Sequence, residues 1–130
     1  MPTRPLSPHL SVYKLRYTLV TSILHRLTGA GLSCGLLLLV YWLTAVASGA
    51  RAQAHAYALL SQPLMRLLYA AWIAAYCYHL AAGIRHLVWD TGRGLERAQS
   101  QRSAWLIGIA SVGLMLLVAY GAYLAGARSR

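Results

Sequence analysis

Three long stretches of the 130-residue chain carry no charge: 24 residues between Arg26 and Arg51, 18 between Arg66 and Arg85, and 25 between Arg102 and Arg128. A membrane helix needs about 20 mostly apolar residues, and each stretch approaches or exceeds that length. The pattern predicts an all-α membrane protein of one domain, with transmembrane helices over about residues 20–48, 63–89 and 103–125. Ahead of them, residues 1–17 contain Pro2, Pro5 and Pro8 and show no helical apolar period, which predicts an extended N-terminal arm at the membrane surface. No internal repeat or low-complexity tract interrupts this plan.

Local signals mark the ends of the spans. The first leaves the apolar run at Ser48, Gly49 and Arg51. Residues 51–62 read as a polar connector, and Ser61-Gln62-Pro63 reads as a helix start, with Ser61 as an oxygen-bearing cap and a proline that needs no N–H partner. The second span is expected to stop at Asp90-Thr91-Gly92, where glycine can adopt the left-handed conformation that closes a helix. A polar, basic connector over residues 91–102 leads to the third span.

Composition reinforces the membrane reading. Apolar residues make up 58% of the chain before its 11 glycines are counted, above the roughly 45–50% that both classes contribute together in soluble domains. The formal charge of +10 arises from 12 Lys and Arg residues against only Asp90 and Glu96. A basic balance of this size often accompanies nucleic-acid binding, but here the charges fence three apolar spans instead of forming one face. Arg4, Lys14, Arg16 and Arg26, with Arg85, Arg93, Arg97 and Arg102, place eight cations on one side, and Arg51, Arg66, Arg128 and Arg130 place four on the other. By the bias of basic loops toward the cytoplasm, the N-terminus is expected in the cytoplasm and the C-terminus outside. The remaining basic surface suits anionic lipid headgroups. Residues 1–20 do not have the form of a removable targeting segment. Cys34 and Cys77 fall inside spans and read as small buried apolar residues, and neither belongs to a C-x-x-C-H haem-attachment motif.

His79 stands out as chemistry. It lies in the middle of the second span, about ten residues and hence roughly 15 Å from the polar end at Asp90. Ionisable groups at such depth are rare and face a partner or a cavity, so His79 either hydrogen-bonds a neighbouring helix or uses a neutral imidazole as a metal ligand. Gly83 and His86 follow it at one and two helical turns, and a glycine beside an axial ligand leaves room for a flat macrocycle. Arg85 and His86 lie roughly 10 Å nearer the surface, where the carboxylates of a haem held edge-on would fall; a snorkelling interfacial charge explains Arg85 equally well. In Ser22-Ile23-Leu24-His25-Arg26, opening the first span, Ser22, Arg26 and Gly29 share a helical face with His25 beside them. A hydroxyl and a guanidinium one turn apart can both donate to a quinone carbonyl, and they also read as a capping serine beside a basic anchor. Gly29 with Ser33 and Gly31 with Gly35 read as close-packing positions. His55 and His9 have no local support as ligands.

Three segments resemble the cytochrome b556 subunits of succinate dehydrogenase, the larger of that complex's two haem-bearing membrane anchors. They are Arg4-Pro5-Leu6-Ser7-Pro8-His9-Leu10, Ser22-Ile23-Leu24-His25-Arg26-Leu27-Thr28-Gly29, and His79-Leu80-Ala81-Ala82-Gly83-Ile84-Arg85-His86-Leu87-Val88-Trp89-Asp90. With the three-span plan, the resemblance extends over nearly the whole chain. It implies that His79 is an axial ligand to haem b iron, with the second ligand from a partner anchor subunit. It places His25, Arg26 and Arg85 near the haem propionates, with His86 a lesser candidate, and Ser22 and Arg26 at a ubiquinone site completed by other subunits. The implied setting is the cytoplasmic (inner) membrane of a bacterium, in respiratory complex II. There, flavoprotein and iron–sulfur subunits pass electrons from succinate to ubiquinone, and this chain is an electron-transferring anchor without a catalytic residue or a nucleic-acid partner of its own. Competing expectations are a quinol:fumarate reductase anchor, a small cationic transporter subunit without a redox centre, and a structural anchor that has lost its haem.

Overall fold

The computed structural model describes residues 17–128; the expected arm, apart from Tyr17, and His9 with it lie outside the described residues. Four helices follow one another: α1 Tyr17–Ala47, α2 Ala50–Leu60, α3 Pro63–Asp90 and α4 Arg97–Arg128. At 1.5 Å per residue α1, α3 and α4 are about 40–50 Å long, more than the roughly 30 Å of a bilayer's hydrocarbon core. All three are long and apolar enough to cross a membrane, and the chain is a multi-pass membrane protein. Helix α3 is the spine, packed against α1 on one side and α4 on the other.

The three spans fall where the apolar runs place them, and two details differ. The connector expected over residues 51–62 is mostly helical, as α2. Its alternating alanines, Ala50, Ala52, Ala54, Ala56 and Ala58, are strong helix formers, and Gly49, with φ +103°, makes the break from α1 that lets a new helix start. The second difference concerns the cap of α3. Gln62, extended, holds the N-cap position without a side-chain cap hydrogen bond, whereas Ser61 ends α2 and its hydroxyl donates to the Ala58 carbonyl. Pro63 does open α3. At the other end, Gly92 with φ +77° follows the last turn of α3, as its sequence signal implied. Helix α4 begins at Arg97, several residues ahead of its apolar run, so its first turns form a polar extension beside the end of α3.

Small residues dominate the helix seams. The buried apolar residues among those described are Ala45, Ala56, Cys77, Ala81, Ala82, Ala104 and Ile107, while leucines, isoleucines and valines point outward along all three spans. That inversion suits lipid, where close backbone approach and hydrogen bonds between helices hold a bundle together. Trp72 shows both: its indole N–H donates to the Gly31 carbonyl at 3.0 Å, and its ring lies against Gly35, where a Cβ would come within 3.2 Å. Cys77 is buried as expected, and Cys34 instead faces outward on α1.

Candidate functional site

The half of the α1–α3 seam toward the start of α1 and the end of α3 gathers a cluster of polar residues. Thr21, His25 and Thr28 recur on α1 at helical spacing and meet Tyr78, His79, Gly83 and Arg85 of α3. The His79 and His25 rings stack, with centroids 4.1 Å apart and planes within 10°. His86 meets His25 edge-on at 4.6 Å and stacks on Trp89 at 5.4 Å. A ladder of rings thus runs from the middle of α3 toward its C-terminal end.

Hydrogen bonding fixes the tautomer of His79. Its Nδ1 lies 3.1 Å from the His25 carbonyl and 3.3 Å from the Thr28 hydroxyl oxygen. A carbonyl only accepts, so Nδ1 carries the proton and donates. The Thr28 hydroxyl is itself directed to the Leu24 and His25 carbonyls, leaving its oxygen to accept. The unprotonated nitrogen is therefore Nε2, which has no hydrogen-bond partner among the described residues. Gly29 closes one side of the ring: a Cβ there would stand 3.0 Å from His79 Cε1. Gly83, the glycine singled out by sequence spacing, faces His25 instead, and a Cβ on it would make only ordinary contact at 3.9 Å. His25 Nδ1 is buried without a partner.

Arg85 is 6% exposed and links three helices. Its Nη1 donates to the Thr21 hydroxyl at 3.1 Å, its Nη2 to the Ser100 carbonyl and hydroxyl at 2.9 and 3.2 Å, and its Cζ sits 4.0 Å above the Trp89 ring centre. The guanidinium is thus held between α1 and α4. Its Nε remains buried and unpartnered. Replacing Arg85 with methionine removes the cation and both linkages at similar length. We expect a loss of about 1–3 kcal/mol, the range for charge-assisted bonds moderated by the lower values found between membrane helices. A lowered thermal midpoint of the solubilised assembly is the expected result, and an unchanged midpoint would show that the linkage carries no stability.

Ser22 and Arg26 lie one turn apart on α1, half-buried and exposed respectively, and neither side chain has a hydrogen-bond partner among the described residues. Gly29, seven residues after Ser22 on the same helix, packs against His79. His55 sits exposed on α2 at the far end of the bundle. No group of three or more His, Cys, Asp or Glu side chains able to hold a bare metal ion occurs among the described residues. Sequence reasoning passed over Thr21, Thr28, Tyr78, Trp89 and Ser100, all of which bond or pack into this cluster. The polar stripe Thr21–His25–Thr28 within an apolar span was the signal for the first two.

Comparison with known proteins agrees with this architecture. The family model for the succinate dehydrogenase/fumarate reductase transmembrane subunit matches residues 1–118. The chain is 40% identical over 114 residues to the succinate dehydrogenase cytochrome b556 subunit of Paracoccus denitrificans, covering 88% of each protein. It is 35% identical over 115 residues to that of Rickettsia prowazekii, covering 88% of this chain and 90% of the relative. With the mitochondrial cytochrome b560 subunit of Mus musculus it shares 37% identity over 122 residues, 91% of this chain and 69% of the relative. A transporter unrelated to respiration is thereby set aside: the chain belongs to the family of succinate dehydrogenase/fumarate reductase transmembrane subunits.

Proposed function

We propose that this membrane anchor of succinate dehydrogenase provides one axial ligand, His79, to a haem b shared with a second small anchor subunit, and that Ser22 and Arg26 form its part of a ubiquinone-reduction site. The single observation that carries the ligand assignment is the commitment of His79 Nδ1 to the His25 carbonyl, with Nε2 left as an unshared lone pair. Metal-binding histidines generally donate their other nitrogen to a carbonyl or carboxylate, which orients the ring and raises its basicity. The donor set fits a haem, which requires only axial ligands from protein, better than a bare ion, which requires several. Face-to-face stacking of His25 on His79 leaves no place for iron between those two rings, so the second ligand is assigned to another subunit. When bound, the haem supplies a one-electron redox centre within the membrane.

The chain's own groups do the positioning. Thr28 and the His25 backbone hold the imidazole of His79, and Gly29 keeps the space beside it clear. His25, Arg26 and His86 stand at the same end of the bundle and supply donors for carboxylates, while Arg85 contributes its charge from behind. Arg26 and Ser22, one turn apart, can donate to one carbonyl oxygen of ubiquinone, and the guanidinium charge stabilises negative charge building there as electrons arrive. Two electrons and two protons convert the quinone to the quinol. Spans without a carboxylate fit this role better than proton pumping, since Asp90 and Glu96 lie at and beyond the end of α3.

In the assembled enzyme this chain docks a flavoprotein subunit that oxidises succinate and an iron–sulfur subunit that relays the electrons. The basic end, holding Arg26, Arg93, Arg97 and Arg102, is assigned to the cytoplasmic face of a bacterial inner membrane by its eight-to-four excess of Lys and Arg. Substitution of Arg26 by alanine tests the quinone assignment. Loss of one charged donor to a reacting oxygen costs about 10²–10³ in rate at comparable sites, so succinate-driven ubiquinone reduction is expected to fall by at least tenfold while reduction of an artificial dye upstream is retained. Equal losses in both assays would remove Arg26 from the quinone site.

A further inference from the structure

At the opposite end of the bundle, α1, α2 and α3 form an open-sided cavity of about 570 Å³, inside the roughly 300–1,000 Å³ range of small-molecule sites. Its mouth is formed by Tyr57, Ser61 and Arg66, and its body by Leu38, Trp42 and Trp72 with Gly35 at the base. The walls are built, not incidental. Tyr69 lines the cavity and donates to the Leu60 carbonyl at 3.0 Å, fixing the end of α2 against α3, and Trp72 is pinned by its bond to Gly31 and its contact with Gly35. Along α3, Trp72 stands six residues beyond Arg66, about 9 Å deeper into the bilayer. The cavity therefore descends from a cationic, hydroxyl-bearing rim at the membrane surface to an aromatic and aliphatic floor among the spans.

Charge makes the choice of occupant. Arg66 is exposed at the rim and its guanidinium has no partner among the described residues. The chain's two acidic side chains, Asp90 and Glu96, lie at and beyond the far end of α3, a full bilayer away. The first turn of α3, beside the rim, adds N–H groups without a side-chain cap, and the N-terminal end of a helix favours an anion. A cation with no acid to meet it, above an apolar slot open toward lipid, is complementary to a phosphate headgroup carrying an acyl chain.

We propose that this cavity binds one anionic phospholipid of the leaflet opposite the histidine cluster, its headgroup phosphate on Arg66 and the Tyr57 and Ser61 hydroxyls, and one acyl chain between Trp42, Trp72 and Leu38. The bound lipid fills the wedge between α2 and the two spans and ties the short surface helix to the bundle.

The test uses the intact purified complex, washed free of lipid in detergent and titrated with dioleoyl phosphatidylglycerol or, in parallel, dioleoyl phosphatidylcholine, with binding read by native mass spectrometry. The expected result is one adduct of phosphatidylglycerol that saturates ahead of any further lipid and ahead of phosphatidylcholine. Arg66→Gln is expected to weaken that adduct roughly fivefold, the attraction of one basic residue for an anionic surface, and Arg66→Lys to retain it. Leu38→Trp, which fills the body, is expected to weaken both lipids, with subunit composition unchanged in every variant. Equal affinity for the two lipids, an Arg66→Gln complex that binds as the parent does, or displacement of the adduct by an equimolar short-chain ubiquinone would each overturn the proposal. Absence of a saturable adduct from the intact complex would overturn it too, by showing that a neighbouring subunit fills the space.

Discussion

His79→Ala is expected to abolish the b-type bands in the reduced-minus-oxidised spectrum of the purified complex, with the chain still inserted in the membrane. Alanine is the best helix former, so α3 itself survives the change. What disappears is an imidazole whose tautomer the structure sets, with Nδ1 bound to the His25 carbonyl and Nε2 open. His25 cannot take its place without leaving the stack, because its own Nδ1 is buried against α3 and its ring packs face-on where His79 was. The truncation leaves room at the vacated ring position, and added imidazole is expected to restore part of the spectrum. An unchanged spectrum would remove His79 as the ligand. Loss of bands together with loss of the other subunits would be read against the imidazole-rescue experiment, since only a missing ligand is restored by a free one.

The second large effect concerns a glycine. A Cβ at position 29 would stand 3.0 Å from His79 Cε1, and valine adds two further methyl groups in that direction. Gly29→Val is expected to drive the His79 ring off its bond to the His25 carbonyl and to lower haem content per complex several-fold. Valine has a better helix propensity than glycine, so a loss cannot be assigned to α1 unwinding. Gly31, half a turn on, supplies the contrast: nothing lies within 4 Å of a Cβ there. Gly31→Ala is expected to leave haem content untouched and to add about 0.5–1 kcal/mol of helix stability. The haem-to-protein ratio measured in both variants checks the pair, and equal ratios would show that Gly29 does not shape the site.

How far the sequence could carry these conclusions follows from the solvent. A bilayer imposes a length and a polarity on every span, and the runs bounded by Arg26, Arg51, Arg66, Arg85, Arg102 and Arg128 display both directly. Helix α2 was hidden because its alanines alternate with Arg51, Gln53 and His55, a mixture that reads as polar linker although alanine alone favours helix. The depth of His79 and its spacing from Arg85 could be counted along one helix. The pairing of His79 with Gly29, and of Arg85 with Thr21 and Ser100, could not. Those contacts depend on how far α1 and α4 are rotated about their axes relative to α3, and spacing within one helix carries no record of another helix's rotation. Gly83 illustrates the limit: it shares a stripe with His79, yet the ring beside it is that of His25.

The alanine-lined seams have a consequence for the cell. Apart from Cys77 and Ile107, every buried apolar residue described is an alanine, and no large side chain is fully enclosed. Insertion is secured by the lipid that the outward leucines meet, while the arrangement of the spans rests on a few interhelical hydrogen bonds, from Trp72, Tyr78 and Arg85, with little apolar burial behind them. Binding that occurs only to the native arrangement raises its population by mass action, so the lifetime of each copy depends on how soon it meets a partner. Copies synthesised in excess are therefore expected to be cleared by membrane proteases faster than assembled ones. The level of this chain is then expected to follow the supply of its scarcest companion, with more of its own message raising turnover and not the number of complexes.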